Sequence, residues 1–140
     1  MEYLDTSLLV AALTNEPRTA DTQDWLAGQP AGNLAISDWT ITEFSSAMSI
    51  KLRMQTLEPT HRADALAMLT TLCEQSLVVL SMTPDDFRTA AHFANQYETG
   101  LRSGDALHLA VASNHGLRVQ SLDKGLVDAA VTLGVSARLM

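Results

Sequence analysis

Four apolar runs, each too short to make a helix, recur at wide intervals along the chain: Met1–Leu4, Leu34–Ser37, Leu77–Leu80 and Val119–Leu122. Long helical stretches separate them, and a last short run follows Gly134. Strands joined by helices run parallel, and a parallel sheet is buried on both faces, which is why its strands read as apolar runs rather than as polar–apolar alternation. The pattern predicts an α/β fold: a central, mainly parallel sheet of four or five short strands covered by helices on both sides.

The punctuation between the strands sets the helices. Thr6-Ser7 starts a helix over Leu8–Leu13, and Glu16-Pro17 breaks it and opens another through Trp25 and Leu26. Gly28, Pro30 and Gly32 mark a turn, after which Leu34–Ser37 feeds a helix from about Asp38 to Met54. Pro59 opens a helix to about Gln75, and Leu77–Leu80 reads as a buried strand. Thr83-Pro84-Asp85-Asp86 starts a helix expected to stop near Gly100. Ser103 is expected to cap a helix through Ala112 that Gly116 ends, and the last helix runs from the fourth strand to about Leu133.

A length of 140 residues with 46% hydrophobic content suits one domain spanning 1–140. No stretch has the roughly 20 uninterrupted apolar residues of a membrane span, and Glu2 stands where a secretion signal would be basic, so a cytoplasmic protein with no membrane partner is expected. Cys73 is the only cysteine and falls in an apolar helical run, so it is read as a packing residue. A net charge of −7 argues against a broad basic nucleic-acid surface. It suits a basic protein partner or a bound cation.

Four acids fall where such a fold can gather them. Asp5 and Asp123 each follow a strand, and in open parallel sheets ligands collect beyond the carboxyl ends of the strands where strand order reverses. The two are neighbours if the first and fourth strands lie side by side. Glu43 shares its helical arc with Trp39, Ala47, Ile50 and Met54, and a second apolar arc carries Ile41, Phe44, Met48 and Leu52, so this helix is expected to be buried on two sides. A buried carboxylate needs a partner, either an Arg or Lys or else a metal ion or water. Asp105 lies in a first helical turn, where attraction to the helix dipole is an equally good explanation. Capping alone accounts for Asp5 and Asp123 taken singly. It does not account for Glu43, and carboxylates gathered in one pocket need a cation.

Tyr3-Leu4-Asp5-Thr6-Ser7-Leu8-Leu9-Val10 resembles the opening motif of PIN-domain nucleases, and Ile41-Thr42-Glu43-Phe44 is similar to their second motif. Asp105-Ala106-Leu107-His108-Leu109-Ala110-Val111-Ala112 resembles the third motif and Ser121-Leu122-Asp123 the fourth. Ser121 stands where that family often has Thr, and Leu126 where an aromatic is common. Order, spacing and chain length are similar to the VapC toxins of VapBC toxin–antitoxin pairs. The resemblance implies a PIN-like α/β/α sandwich with the first and fourth strands adjacent. It also implies that Asp5, Glu43, Asp105 and Asp123 bind Mg²⁺ or Mn²⁺, directly or through water, for hydrolysis of RNA phosphodiesters. Implied partners are an RNA substrate, a VapB-like antitoxin and a second copy in a homodimer.

Around the acids, Thr6 and Ser121 are candidates to orient water or phosphate, with capping or turn formation an equal alternative. Arg102 and Lys124 either steer phosphate or are solvated surface charges, and His108 is read as packed or hydrogen-bonded rather than as a ligand. His61, His92 and His115 have no ligand spacing with the acids. A haloacid-dehalogenase-like phosphatase, suggested by Asp5, Asp123 and Asp128, would need a second Asp two positions after its nucleophile, where Ser7 stands. The remaining alternative is a non-catalytic PIN-like module that binds RNA or protein.

Overall fold

The computed structural model describes residues 1–140. In chain order the elements are β1 (Glu2–Leu4), α1 (Thr6–Leu13), α2 (Thr19–Ala27), β2 (Leu34–Ser37), α3 (Asp38–Arg53), α4 (Pro59–Gln75) and β3 (Val78–Leu80). There follow α5 (Pro84–Ala94), a 3-10 turn (Tyr97–Thr99), α6 (Ser103–Asn114), β4 (Arg118–Ser121), α7 (Lys124–Leu133) and β5 (Ala137–Leu139). The five strands form one parallel sheet in the order β3-β2-β1-β4-β5. Chain order reverses at β1, which lies between β2 and β4, so the switch point falls beside the first strand.

Side chains alternate faces along a strand, and β1 shows the consequence directly. Leu4 packs with Leu8 and Leu9 of α1, Phe44 and Met48 of α3, and Leu69 of α4 on one side. Tyr3 packs on the other side with Leu109 and Val111 of α6, Val119 of β4, and Leu126 and Ala130 of α7. The molecule is therefore a PIN-like α/β/α sandwich with two apolar cores separated by the sheet. Register is fixed by the Leu4–Gln120 pairing between β1 and β4 and is prolonged one residue by the Asp5 N–H, which donates to the Gln120 carbonyl at 3.2 Å.

Helix starts follow local chemistry. Asp5, Thr83 and Asp123 each accept a backbone N–H at the N-terminus of α1, α5 and α7, and Pro84 and Pro59 take first-turn positions where no N–H is needed.

Several boundaries differ from the sequence reading. Helix α5 ends at Ala94, because Asn95-Gln96-Tyr97-Glu98-Thr99 offers no apolar face to bury, and Tyr97 is 83% exposed. Gly100 then takes a left-handed φ of 68° that turns the chain into α6, whose N-cap is Arg102 rather than Ser103. Helix α2 starts at Thr19, whose hydroxyl bonds the Ala11 and Thr14 carbonyls, and not at Pro17. Strand β3 lies at the sheet edge, so Val78 is partly solvated where a buried strand was expected. Helix α3 is buried on one side only: Thr40, Phe44 and Met48 face the core, while Ile50 and Met54 are exposed.

Phe44 is fully buried among residues of four elements, so Phe44→Ala removes packing that no neighbour can replace. The expected loss is about 3–5 kcal/mol. Urea denaturation checks it, with a lower midpoint and an unchanged m-value.

Candidate active site

Adjacency of β1 and β4 puts Asp5 beside the segment that carries Asp123. Two serines complete the connection. Ser121 Oγ donates to Asp5 Oδ2 at 2.6 Å and accepts the Asp123 N–H at 2.9 Å. Ser7 Oγ donates to Asp5 Oδ1 at 2.6 Å and accepts the Leu122 N–H at 3.1 Å. Each hydroxyl thus spends its proton on Asp5 and its lone pair on the backbone leaving β4, which ties the carboxylate to the β4–α7 connection. Asp5 also accepts the Leu8 N–H at 3.4 Å as the cap of α1.

Glu43 and Asp105 arrive from opposite sides of the sheet on α3 and α6, which pack together above the strand ends. The approach is close at Gly104. A Cβ there would stand 2.9 Å from Glu43 Oε2 and 3.1 Å from Trp39 Cζ2, so the glycine lets these two side chains lie against α6 without shifting. Glu43 is not paired with an Arg or Lys. Its Oε1 lies 2.8 Å from Nε2 of His108, which is only 1% exposed and also contacts Thr6 Oγ1 at 3.3 Å. Asp105, one helical turn above His108, accepts no hydrogen bond, and Asp123 is exposed, with its Oδ1 accepting the Leu126 N–H at 3.2 Å.

Two clefts meet over these acids. One, of about 740 Å³, is lined by Trp39, Glu43, Arg102, Gly104, Asp105 and Asp123 among others. The other, of about 630 Å³, is lined by Thr6, Ser7, Glu43, Asp123 and Lys124 among others. Glu43 and Asp123 belong to both, so with Asp105 they stand in one continuous open trough, while Asp5, only 5% exposed, lines neither cleft. A further groove of about 670 Å³ lies between the end of α1 and the facing ends of α3 and α4.

The electrostatics follow from this crowding. Burial pushes the Asp105 carboxyl above its ordinary value of 3.8, and repulsion from Asp123, Glu43 and Asp5 adds to the rise. Asp5 is also raised, chiefly by burial, although Ser121 and Ser7 favour its charged form. Glu43 goes the other way: burial raises it, but the His108 hydrogen bond, with help from Thr6 and Trp39, outweighs burial and holds it low. The Trp39 N–H is buried without a well-aligned acceptor, so its share in that effect is one of proximity to Glu43 rather than a formed hydrogen bond. Beneath them the Tyr3 hydroxyl is pushed up to about 12, mainly by burial.

Hard carboxylate oxygens that repel one another fit a hard divalent cation such as Mg²⁺ or Mn²⁺. No three His, Cys, Asp or Glu side chains stand ready as a complete coordination set, so an ion held here meets some of the acids through water or after side-chain rotation. Asp5, Asp105, Asp123 and Glu43 are the residues that would hold it.

The remaining candidates resolve as follows. Thr6 contacts His108 and also lines the smaller cleft, whereas Ser121 is fully buried and serves Asp5. Lys124 pairs with Asp128 at 2.6 Å on the surface, whereas Arg102 lies free on the rim of the larger cleft. Cys73 packs beside the first core with its thiol pushed up by burial and then by Glu74, which leaves it a poor nucleophile. Sequence reasoning missed Ser7, Tyr3 and Gly104, and it gave His108 no partner. The signals were the two-residue step from Asp5 to Ser7 and the three-residue step from Asp105 to His108.

The fold and the acidic trough define a protein of the PIN class, and comparison with known proteins agrees. The PIN domain family model matches residues 3–131, and the chain belongs to that family. Among solved structures, the VapC20 toxin of Mycobacterium tuberculosis, described as cleaving the sarcin–ricin loop, is similar with a TM-score of 0.75 at 17% identity, over 92% of this chain and 95% of that one. VapBC2 of Rickettsia felis, solved on a promoter DNA fragment, has a TM-score of 0.68 at 13% identity, over 100% of this chain and 99% of that one. A toxin–antitoxin complex from Klebsiella pneumoniae has a TM-score of 0.63 at 17% identity, over 91% and 90%. A comparison with curated proteins found no match. The fold is thus that of the VapC toxins. No helix is long and apolar enough to cross a membrane.

Raised carboxyls destabilise the metal-free fold when they ionise. For Asp5 and Asp105 the folded state holds the proton more tightly than the unfolded chain, so their contribution is most favourable below about pH 4 and is lost as pH rises through the raised folded values. Asp105→Asn should therefore raise the melting temperature of the metal-free protein at pH 7.5. That gain should vanish near pH 3.5, where the parent carboxyl is protonated. Paired thermal melts at the two pH values check the sign.

Proposed function

We propose that this chain is a metal-dependent endoribonuclease, the toxin of a VapBC-type toxin–antitoxin pair, which hydrolyses RNA phosphodiester bonds at the acidic trough. The observation that carries the reading is Asp105: a half-buried carboxyl without a hydrogen-bond donor, raised by burial and by three neighbouring acids at the switch point of a PIN fold. Such a group is costly unless a cation relieves it.

Bound Mg²⁺ or Mn²⁺ supplies charge neutralisation at the scissile phosphate and a lowered pKa for attacking water. The protein's own residues do the rest. Asp5, fixed through Ser7 and Ser121, is held beside the segment that carries Asp123. Asp105 and Asp123 flank the trough, and Glu43 closes the side toward α3 under the control of His108. Arg102 on the rim presents a fixed positive charge to the phosphate backbone, which positions RNA without reading its sequence. Lys124 contributes less because Asp128 already neutralises it.

A VapB-like antitoxin and a second copy in a homodimer complete the proposal. Support for the antitoxin comes from the toxin–antitoxin complex and VapBC assembly among the similar structures, and from a net charge of −7 that suits a basic partner segment. Exposed Ile50, Met54 and Met68 add apolar surface on α3 and α4 for a protein contact. A small basic or DNA-binding reading frame immediately upstream of the coding sequence is the expected genomic companion. Its absence would count against the toxin assignment and leave nuclease activity standing.

Incubation of total RNA with Mg²⁺ or Mn²⁺ tests the activity. The parent chain should cleave, chelation should stop it, and Asp5→Ala should be inactive. A parent without metal-dependent cleavage, or an Asp5→Ala variant that cuts equally well, contradicts the reading. Gly104→Ala tests the geometry separately: displacement of the Glu43 carboxylate and the Trp39 ring by a few tenths of an ångström should lower cleavage while the circular dichroism spectrum persists.

A further inference from the structure

Under the acids lies a buried polar chain that the proposed hydrolysis does not by itself require. Tyr3 on β1 has its hydroxyl 2.8 Å from Nδ1 of His108, 2.8 Å from Ser37 Oγ and 3.2 Å from Thr40 Oγ1. All four residues are at most 1% exposed, and they come from the sheet and from helices on both of its faces. His108 in turn reaches Glu43 through Nε2 at 2.8 Å. A path of hydrogen bonds therefore leads from the start of α3, through β1 and α6, back to the one acid of the trough that α3 carries.

Donor counting gives this path a direction. Ser37 and Thr40 form a capping box at the start of α3, whose firmest bond is the Ser37 N–H donating to Thr40 Oγ1 at 3.2 Å. With lone pairs occupied by backbone donors, these hydroxyls have protons to give to the Tyr3 oxygen. The single phenol proton is then directed to its third neighbour, His108 Nδ1. An imidazole that accepts at Nδ1 carries its proton on Nε2, where the ionised Glu43 carboxylate can only accept. The opposite tautomer would set a nitrogen lone pair against a carboxylate oxygen at 2.8 Å.

We propose that Tyr3 and His108 are positioning residues for Glu43: the Tyr3 hydroxyl locks His108 as its Nε2–H tautomer, and that N–H holds the Glu43 carboxylate at the wall of the acidic trough. His108 acts through Glu43, and Thr6 Oγ1 lies 3.3 Å from the same Nε2. The role is the one outer-shell partners play for metal-binding side chains, where their loss typically costs 10–100-fold in metal affinity or activity. The inference deepens the nuclease reading, resting on it for the purpose of Glu43 but not for the tautomer.

Nitrogen-15 NMR of the metal-free full-length chain at pH 7.5 reads the His108 tautomer without any assay of activity. The expected spectrum shows His108 with its proton on Nε2 and an unprotonated Nδ1. Tyr3→Phe, which keeps the buried ring and removes only the oxygen, leaves Nδ1 without its donor and should shift the Nδ1 resonance of His108. It should also weaken Mn²⁺ binding by 10–100-fold in titration calorimetry. His108→Gln, whose side-chain amide can still donate to Glu43, should retain more Mn²⁺ affinity than His108→Leu. A proton found on Nδ1 in the parent overturns the proposal, as does a folded Tyr3→Phe protein with unaltered His108 shifts and Mn²⁺ affinity. If Tyr3→Phe does not fold, the parent spectrum alone decides the tautomer. Absence of RNA cleavage by the parent would defeat the nuclease reading and leave this result intact.

Discussion

The pairing of β1 with β4 is the contact on which the rest of this molecule depends. The strands are distant in sequence, and only their parallel register, continued by the Asp5 N–H to the Gln120 carbonyl, brings Asp5 to the chain that carries Asp123. From that junction the two serine hydroxyls fasten the carboxylate to the chain leaving β4. Buried backbone and side-chain donors are thus matched at the point where the sheet reverses its order, so the fold can place an acid that is only 5% exposed there.

That placement has an electrostatic cost which the structure distributes unevenly. Asp5 receives three hydrogen bonds and Glu43 receives a histidine, whereas Asp105 receives none and faces the charges of the others. A site that stabilises two of its acids and leaves another unrelieved is arranged for something that comes and goes. Marginal local stability of this kind is a recurrent feature of functional sites, held in place by well-packed surroundings. Here the surroundings are two apolar cores on opposite faces of β1, each supplied by its own set of helices.

Much of this was legible in the sequence because it rests on local chemistry. Short apolar runs separated by helices fixed the parallel α/β class, and Asp5 and Asp123 followed their strands as the pattern required. The adjacency of β1 and β4 was not legible from periodicity; it came from the resemblance to PIN domains and is present in the fold. Contacts between elements were the main losses. Apolar spacing on α3 is the same whether its far side meets protein or solvent, so Ile50 and Met54 were misplaced. Nothing in Glu43's own helix indicates that its partner is a histidine from α6, and nothing around Gly104 announces that the Glu43 and Trp39 side chains lie against it. Tyr3 read as one apolar strand residue among others, although its hydroxyl joins three elements.

The central claim is that these separated acids make one cation site. Crystals of the full chain grown with Mn²⁺ and measured at the manganese absorption edge test it most directly. The account predicts an anomalous peak in the trough between Asp5, Asp105 and Asp123, on the side closed by Glu43, and its disappearance in Asp5→Ala crystals. A trough without a peak while Mn²⁺ binds elsewhere on the surface would contradict it.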